Sequence, residues 1–147
     1  MHKIQNIVGR LVEVRVEPPL TLEEIKQFVE EHKATVSRIQ DRYVGVVDLH
    51  KADIFPAEVT DALIQLLSRM AERVERTAFL ISESAVFALQ IERVLRNAAN
   101  PNRRTFREPE PLKEWLGEAL NAGERFRLNR FLNDVLTSDD GGRPAKK

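Results

Sequence analysis

Cysteine is absent from the 147 residues. That removes disulfides, thiolate metal sites and a cysteine nucleophile, and it fits a reducing compartment. An excess of either charge is absent too, because 23 Lys plus Arg balance 23 Asp plus Glu. A free-standing DNA- or RNA-binding domain draws much of its affinity from neutralising phosphates and carries a basic excess, so nucleic acid is excluded as the expected partner. The same neutrality lowers self-repulsion and favours self-association. No apolar run approaches the ~20 residues needed to cross a bilayer, and Met1-His2-Lys3-Ile4-Gln5 carries no apolar signal core. A cytoplasmic protein without a membrane span is expected. Glycine is sparse and scattered: the six residues form neither a G-x-G-x-x-G turn nor a P-loop.

What is present suffices for one packed domain: apolar residues make up 42% of a chain whose length suits a single core. Leu11 to Val16 reads as a strand ending at Pro18-Pro19, and Gly9-Arg10 before it as a bulge or the turn of a short hairpin. Thr21 with Glu24 forms a capping-box pattern ahead of a helical stripe through Ile25, Phe28, Val29, Val36 and Ile39. Tyr43-Val44-Gly45-Val46-Val47-Asp48-Leu49 is nearly continuous in apolar residues, the pattern of a strand buried on both faces. A helix after Pro56 carries Val59, Leu63, Leu66, Leu67, Met70 and Val74. Thr77 to Ile81 is a second buried strand, and Ser82 or Ser84 caps a helix with Val86, Leu89, Ile91, Val94 and Leu95. Arg104-Thr105-Phe106-Arg107 is short and polar, an edge strand. Pro109 and Pro111 lead into a helix in which Trp115, beside Leu112 and Leu116, is expected to anchor on the sheet. The alternation is that of an α/β domain with a mainly parallel or mixed sheet.

The expected division is an α/β domain over residues 1–120, a C-terminal amphipathic helix over 121–136, and a disordered polar tail over 137–147. Leu128, Phe131, Leu132 and Val135 fall at i, i+3, i+4 and i+7, widened by Phe126 and Leu136. With the sheet layer expected to be complete by Leu120, this stripe folds back on its own domain, joins a second copy or enters a partner's groove, and it is taken as a partner-binding surface.

Candidate chemistry is thin. His2, His32 and His50 lack the spacing of a helical metal site. Asp48-Leu49-His50-Lys51-Ala52-Asp53 stands at the carboxyl end of a buried strand, where ligands gather in open α/β sheets. The blander reading has Asp48 and Asp53 capping a loop and a helix start. Asp48, Asp53 and Glu58 could gather as an acidic enzyme site, yet no base, nucleophile or phosphate loop accompanies them. Arg93, Arg96, Arg103, Arg104 and Arg107 form a basic run, either a grip for an acidic partner or phosphate, or a solvated face balanced by Glu92 and Glu108.

Three segments carry a family resemblance: Val46-Val47-Asp48-Leu49-His50 with Ile54-Phe55-Pro56-Ala57-Glu58, Arg76-Thr77-Ala78-Phe79-Leu80-Ile81, and Arg104 through Leu116. Together with the element order over about residues 7 to 120, they resemble the STAS-like domains, which include bacterial anti-sigma-factor antagonists. The resemblance implies a non-enzymatic regulatory or scaffolding module that docks on proteins through its strand-end loops and the helix after Pro56. Where that family holds a phosphorylatable serine, this chain has Pro56-Ala57-Glu58-Val59, so no phospho-switch is expected. The partner-binding residues expected are His50, Asp53, Phe55 and Glu58, together with Phe126, Leu128, Phe131, Leu132 and Val135. No cofactor, metal ligand or catalytic residue is assigned, and a protein partner or a second copy is the expected binder. A small-molecule or lipid-binding α/β domain is the alternative, because such layers can open an apolar pocket beneath their helices.

Overall fold

A computed structural model describes residues 1–98 and 101–141, with side chains through residue 137. The described residues form five strands and five helices in the order β1 (His2–Gln5), β2 (Leu11–Val16), α1 (Leu22–Ser37), β3 (Tyr43–Leu49), α2 (Ala57–Arg69), β4 (Val74–Ile81), α3 (Ala85–Asn97), β5 (Arg103–Phe106), α4 (Pro109–Gly117) and α5 (Ala122–Gly141). The strands lie in sequence order in one mixed sheet, β1 antiparallel to β2 and the rest parallel. The chain is thus a single α/β domain.

The hairpin alternative at Gly9-Arg10 is the one realised, and His2–Gln5 is the strand it adds. Gly9 has φ +56°, and a Cβ there would run into the carboxylate of Glu124. Two conditions therefore select glycine: the left-handed backbone and the close approach. Thr21 caps α1 by accepting from the Glu24 amide at 3.1 Å. Ser84 caps α3 through the Phe87 amide at 3.2 Å. Val74, read as the end of the second helix, instead opens β4 after α2 stops at Arg69.

Strand pleating divides the core in two. Val12, Val14, Val16, Tyr43, Leu49, Phe79 and Ile81 face α1, α2 and α3. Leu11, Val44, Val46, Ala78 and Leu80 face the other way, onto Leu112, Leu116 and Leu120 and onto Leu128, Phe131, Leu132 and Val135 of α5. Successive right-handed crossovers between neighbouring parallel strands put all their helices on one face. The second face can be covered only by what precedes or follows, and α4 and α5 cover it. The separate C-terminal helix over 121–136 is accordingly corrected: it completes the sheet sandwich. Its backbone runs on to Gly141, so residues 137–141 are helical and not tail; the remaining tail residues, 142–147, lie outside the described residues.

Three contacts fix α5. Asn121 and Glu124 cap it reciprocally, the Glu124 amide donating to Asn121 Oδ1 at 2.8 Å and the Asn121 amide to Glu124 Oε1 at 2.9 Å. Glu124 Oε2 accepts from the Arg10 amide at 2.8 Å, tying the helix start to the β1–β2 turn. Farther along, Arg127 donates through Nε and Nη2 to both oxygens of Glu13 at 2.6 and 2.7 Å. Glu13 points into this face from the middle of β2, its side chain fully buried. The hydrogen-bonded carboxylate raises the Arg127 pKa above its ordinary value.

Candidate functional site

The carboxyl ends of β2 and β3 bring charges together. Arg15 and Asp48 are register partners, and their side chains approach to 3.6 Å. Asp48 is buried; its Oδ1 accepts from the His50 amide at 3.0 Å and meets His50 Nδ1 at 2.5 Å. Glu17 stands 3.7 Å from Arg15 and 3.9 Å from Lys51. The carboxylate therefore closes a tight loop turn and fixes the imidazole plane, as the capping reading required. A histidine so oriented resembles half of an acid–base pair, but the hydroxyls at the neighbouring strand end have other work. Ser82 Oγ accepts from the Ser84 amide, and Ser84 Oγ caps α3. Asp53 is exposed and accepts from the Ile54 amide at 2.7 Å, while the N-cap of α2 is Pro56, so Asp53 caps no helix. Among the described residues no group of three or more His, Asp or Glu is placed to hold a metal ion.

Beyond Asp53 the loop is clamped onto α3. Gln90 accepts from the Phe55 amide at 2.9 Å and donates to the Phe55 carbonyl at 2.8 Å. Phe55 is buried, its ring edge-on to Phe87 with centroids 5.4 Å apart. Phe55 is thus corrected from contact residue to anchor: it fills the core and holds its neighbour outward. That neighbour, Ile54, is 52% exposed, and Val86 and Leu89 on α3 are 61% and 64% exposed. Asp53 beside Ile54, Glu58 in the first turn of α2 and Glu83 just ahead of α3 are exposed as well. Strand-end loop and α3 together make an apolar corner with an acidic rim. Val86 and Leu89 were missed at the sequence level, where they counted toward the buried stripe. Their offset from Phe87, Ile91 and Val94 on the helical wheel was the available signal.

The remaining expected contacts are placed differently. Leu128, Phe131, Leu132 and Val135 are 1%, 3%, 1% and 0% exposed; their stripe is core, which corrects the partner-binding expectation for all four. Phe126 alone of that helix's expected contacts is open to solvent. The basic run does not form one patch. Arg93 and Arg96 lie exposed on α3, Arg103 turns inward, and Arg104 turns to the opposite face. There Arg104 and Arg76 each stand 5.0 Å from the Trp115 ring centroid. Trp115 does pack on the sheet, against the second core and Phe106, but with part of its ring open to solvent.

The face of the sheet under α1–α3 holds a second feature. Between the sheet and α1–α3 lies a cavity of about 70 Å³, lined by apolar side chains and by His2, His32, Tyr43 and Thr77. At ~24 cal/mol per Å³ a void of that size costs about 2 kcal/mol. Its floor is Gly45, whose missing side chain leaves room for Thr77 to lean across; a Cβ would meet Thr77 Oγ1 at 3.1 Å. His32 is buried, and desolvation lowers its pKa to about 4, with help from the charge of Arg103. Burial likewise pushes the Tyr43 phenol up to about 12.

No family model matches the chain, and no curated protein matches it.

Proposed function

We propose that the chain is a non-catalytic protein-docking module, of the STAS-like kind its sequence resembles, in cytoplasmic, bacterial-type regulation or scaffolding. The observation that carries the reading is the corner of Ile54, Val86 and Leu89. These are three large apolar side chains open to solvent, Ile54 on the loop and Val86 and Leu89 on α3, and two Gln90–Phe55 hydrogen bonds fix the loop to that helix. A rigid presentation loses little entropy on binding, and burying such side chains is worth about 1.5–3 kcal/mol each. The exposed Asp53, Glu58 and Glu83 fit a partner whose apolar contact is flanked by lysine or arginine. His50 and Lys51 border the same loop. The sequence resemblance locates partner contact at these same strand-end loops and the start of α2.

The test begins with capture from the native cell and ends with purified components. A protein retained by the wild type is identified, purified and titrated against the wild type and an Ile54→Asp/Leu89→Asp variant. Expected is a loss on the order of 100-fold in affinity, an unchanged melting temperature, and weakening of the wild-type complex by salt. Equal affinity of the two proteins for every retained candidate overturns the proposal.

A further inference from the structure

We infer that the partner segment covering the docking corner is an amphipathic helix of about three turns. It lies in the groove between α2 and α3, with basic residues on its α2 flank and acidic residues on its α3 flank. The inference rests on the docking reading above and names what docks.

The first observation is that the apolar corner continues into a groove. Phe55 and Gln90, the chain neighbours of Ile54 and Leu89, also line a space of about 370 Å³ between α2 and α3. Ala57, Asp61 and Ile64 stand on its α2 wall, and Gln90, Arg93 and Asn97 on its α3 wall. Val86 of the corner and Gln90, Arg93 and Asn97 of the groove fall at i, i+4, i+7 and i+11 of α3. Corner and groove therefore share one continuous face of that helix.

The second observation is the shape of that face. The helices run side by side in the same direction, each following a strand of the parallel pair β3 and β4. The Gln90–Phe55 bonds set Gln90 level with the start of α2. Arg93 and Asn97, one and two turns on, then come level with Asp61 and Ile64. From Val86 to Asn97 the face is roughly 16 Å long, the rise of about three helical turns. A third helix fits such a furrow by laying a ridge of side chains into it, and it brings its own backbone hydrogen bonds. An extended segment would find no ladder partner, because α2 and α3 spend their backbone groups internally. A small ligand in the groove would leave Ile54, Val86 and Leu89 bare.

The third observation is charge. Asp61 and Arg93 are exposed on opposite walls of the groove, and neither side chain makes an ion pair or hydrogen bond with a described residue. Opposite charges that line one furrow without joining are each open to a partner's side chain. A lysine or arginine of the occupant belongs beside Asp61, and an aspartate or glutamate beside Arg93. Between them Ile64 and Val94 supply aliphatic contact for the occupant's apolar stripe. A helix that carried its charges on the reverse flanks would set like charges together on both sides.

The experiment places a benzophenone amino acid at Leu89 or at Asn97 of the full chain in the native cell and maps the cross-linked residues by mass spectrometry. Both positions should cross-link to the same protein, at residues about eight positions apart, as a helix requires; an extended segment would give about four. That segment is then made as a synthetic peptide and titrated by fluorescence anisotropy. Arg93→Glu and Asp61→Lys should each weaken its binding about ten-fold with the melting temperature of the protein unchanged, and a proline in the middle of the peptide should abolish binding. A cross-link from Leu89 with none from Asn97, or the extended spacing, overturns the helix and leaves the docking reading standing. Indifference to either charge reversal overturns the assignment of the flanks. No cross-link from either position overturns both the inference and the reading beneath it.

Discussion

Replacing Arg127 by Met keeps an apolar stem over the sheet but removes both hydrogen bonds to Glu13. The Glu13 side chain is 0% exposed and that of Arg127 is 18% exposed, so the carboxylate is left almost wholly desolvated without its counter-ion. Breaking a buried pair from one side costs about 3–5 kcal/mol, against a total of about 5–15 kcal/mol for an ordinary domain. The single variant should therefore lose about a fifth or more of its stability. Replacing both partners removes the stranded charge, and a Glu13→Leu/Arg127→Met variant should recover most of the loss, because apolar substitutes of similar volume are often neutral or better. Urea unfolding of wild type, both single variants and the double variant closes the cycle, with midpoints read at constant slope. The expected coupling is about 3 kcal/mol. A coupling below about 0.5 kcal/mol would refute the reasoning, since it would mean that α5 does not sit on β2 and that the second core is not formed as described.

Stability should fall in acid because of His32. Its folded pKa of about 4 lies below the ordinary 6.5, so between those values the unfolded chain binds a proton that the folded chain does not. Stability is then full above pH 6.5 and declines to about pH 4, by about 3 kcal/mol at 1.36 kcal/mol per unit; a His32→Phe variant should lose this slope in unfolding experiments across that range. Trp115→Ala should cost about 2 kcal/mol, less than the ~3–5 of a fully buried ring, because the lost interactions are partial burial and two cation contacts worth ~0.5–1 kcal/mol each. Thermal unfolding checks it, and no change at all would mean that the ring does not pack. Phosphoproteomics should find no regulated site within residues 50–60, where Thr60 is the one hydroxyl and donates to the Ala57 carbonyl at 2.8 Å.

The elements with strong local signals were legible in the sequence. Tyr43 to Leu49 read as a strand buried on both faces, and Thr21 and Ser84 mark helix starts that the structure keeps. That same strand held the key to α5, because a strand apolar on both sides needs cover on both, and three right-handed crossovers supply only one. Asn121 with Glu124 was a second unread signal, a capping pattern directly before the apolar stripe. β1 was harder: His2-Lys3-Ile4-Gln5 has one apolar residue, and its place is set by pairing with β2 and by His2 reaching Glu24 at 2.9 Å and Glu31 at 3.0 Å on α1. The basic run from Arg93 to Arg107 misled because neighbours in sequence diverge in a strand; Arg103 and Arg104 point to opposite faces. What the sequence did offer for the cavity was Gly45, a glycine in the middle of a buried strand, which marks either a bulge or missing volume. The corner of Ile54, Val86 and Leu89 depends on Gln90 finding Phe55 thirty-five positions away, a contact with no local pattern.

The docking claim is tested most directly by photo-crosslinking in the native cell, with a benzophenone amino acid placed at Leu89 in one variant and at Phe126 in another. Both side chains are 64% exposed, so exposure does not favour either position. The proposed function predicts that position 89 yields a discrete cross-link to a different protein, lost when Ile54→Asp is added, and that position 126 yields none. A discrete cross-link from position 126 with none from position 89 would contradict it.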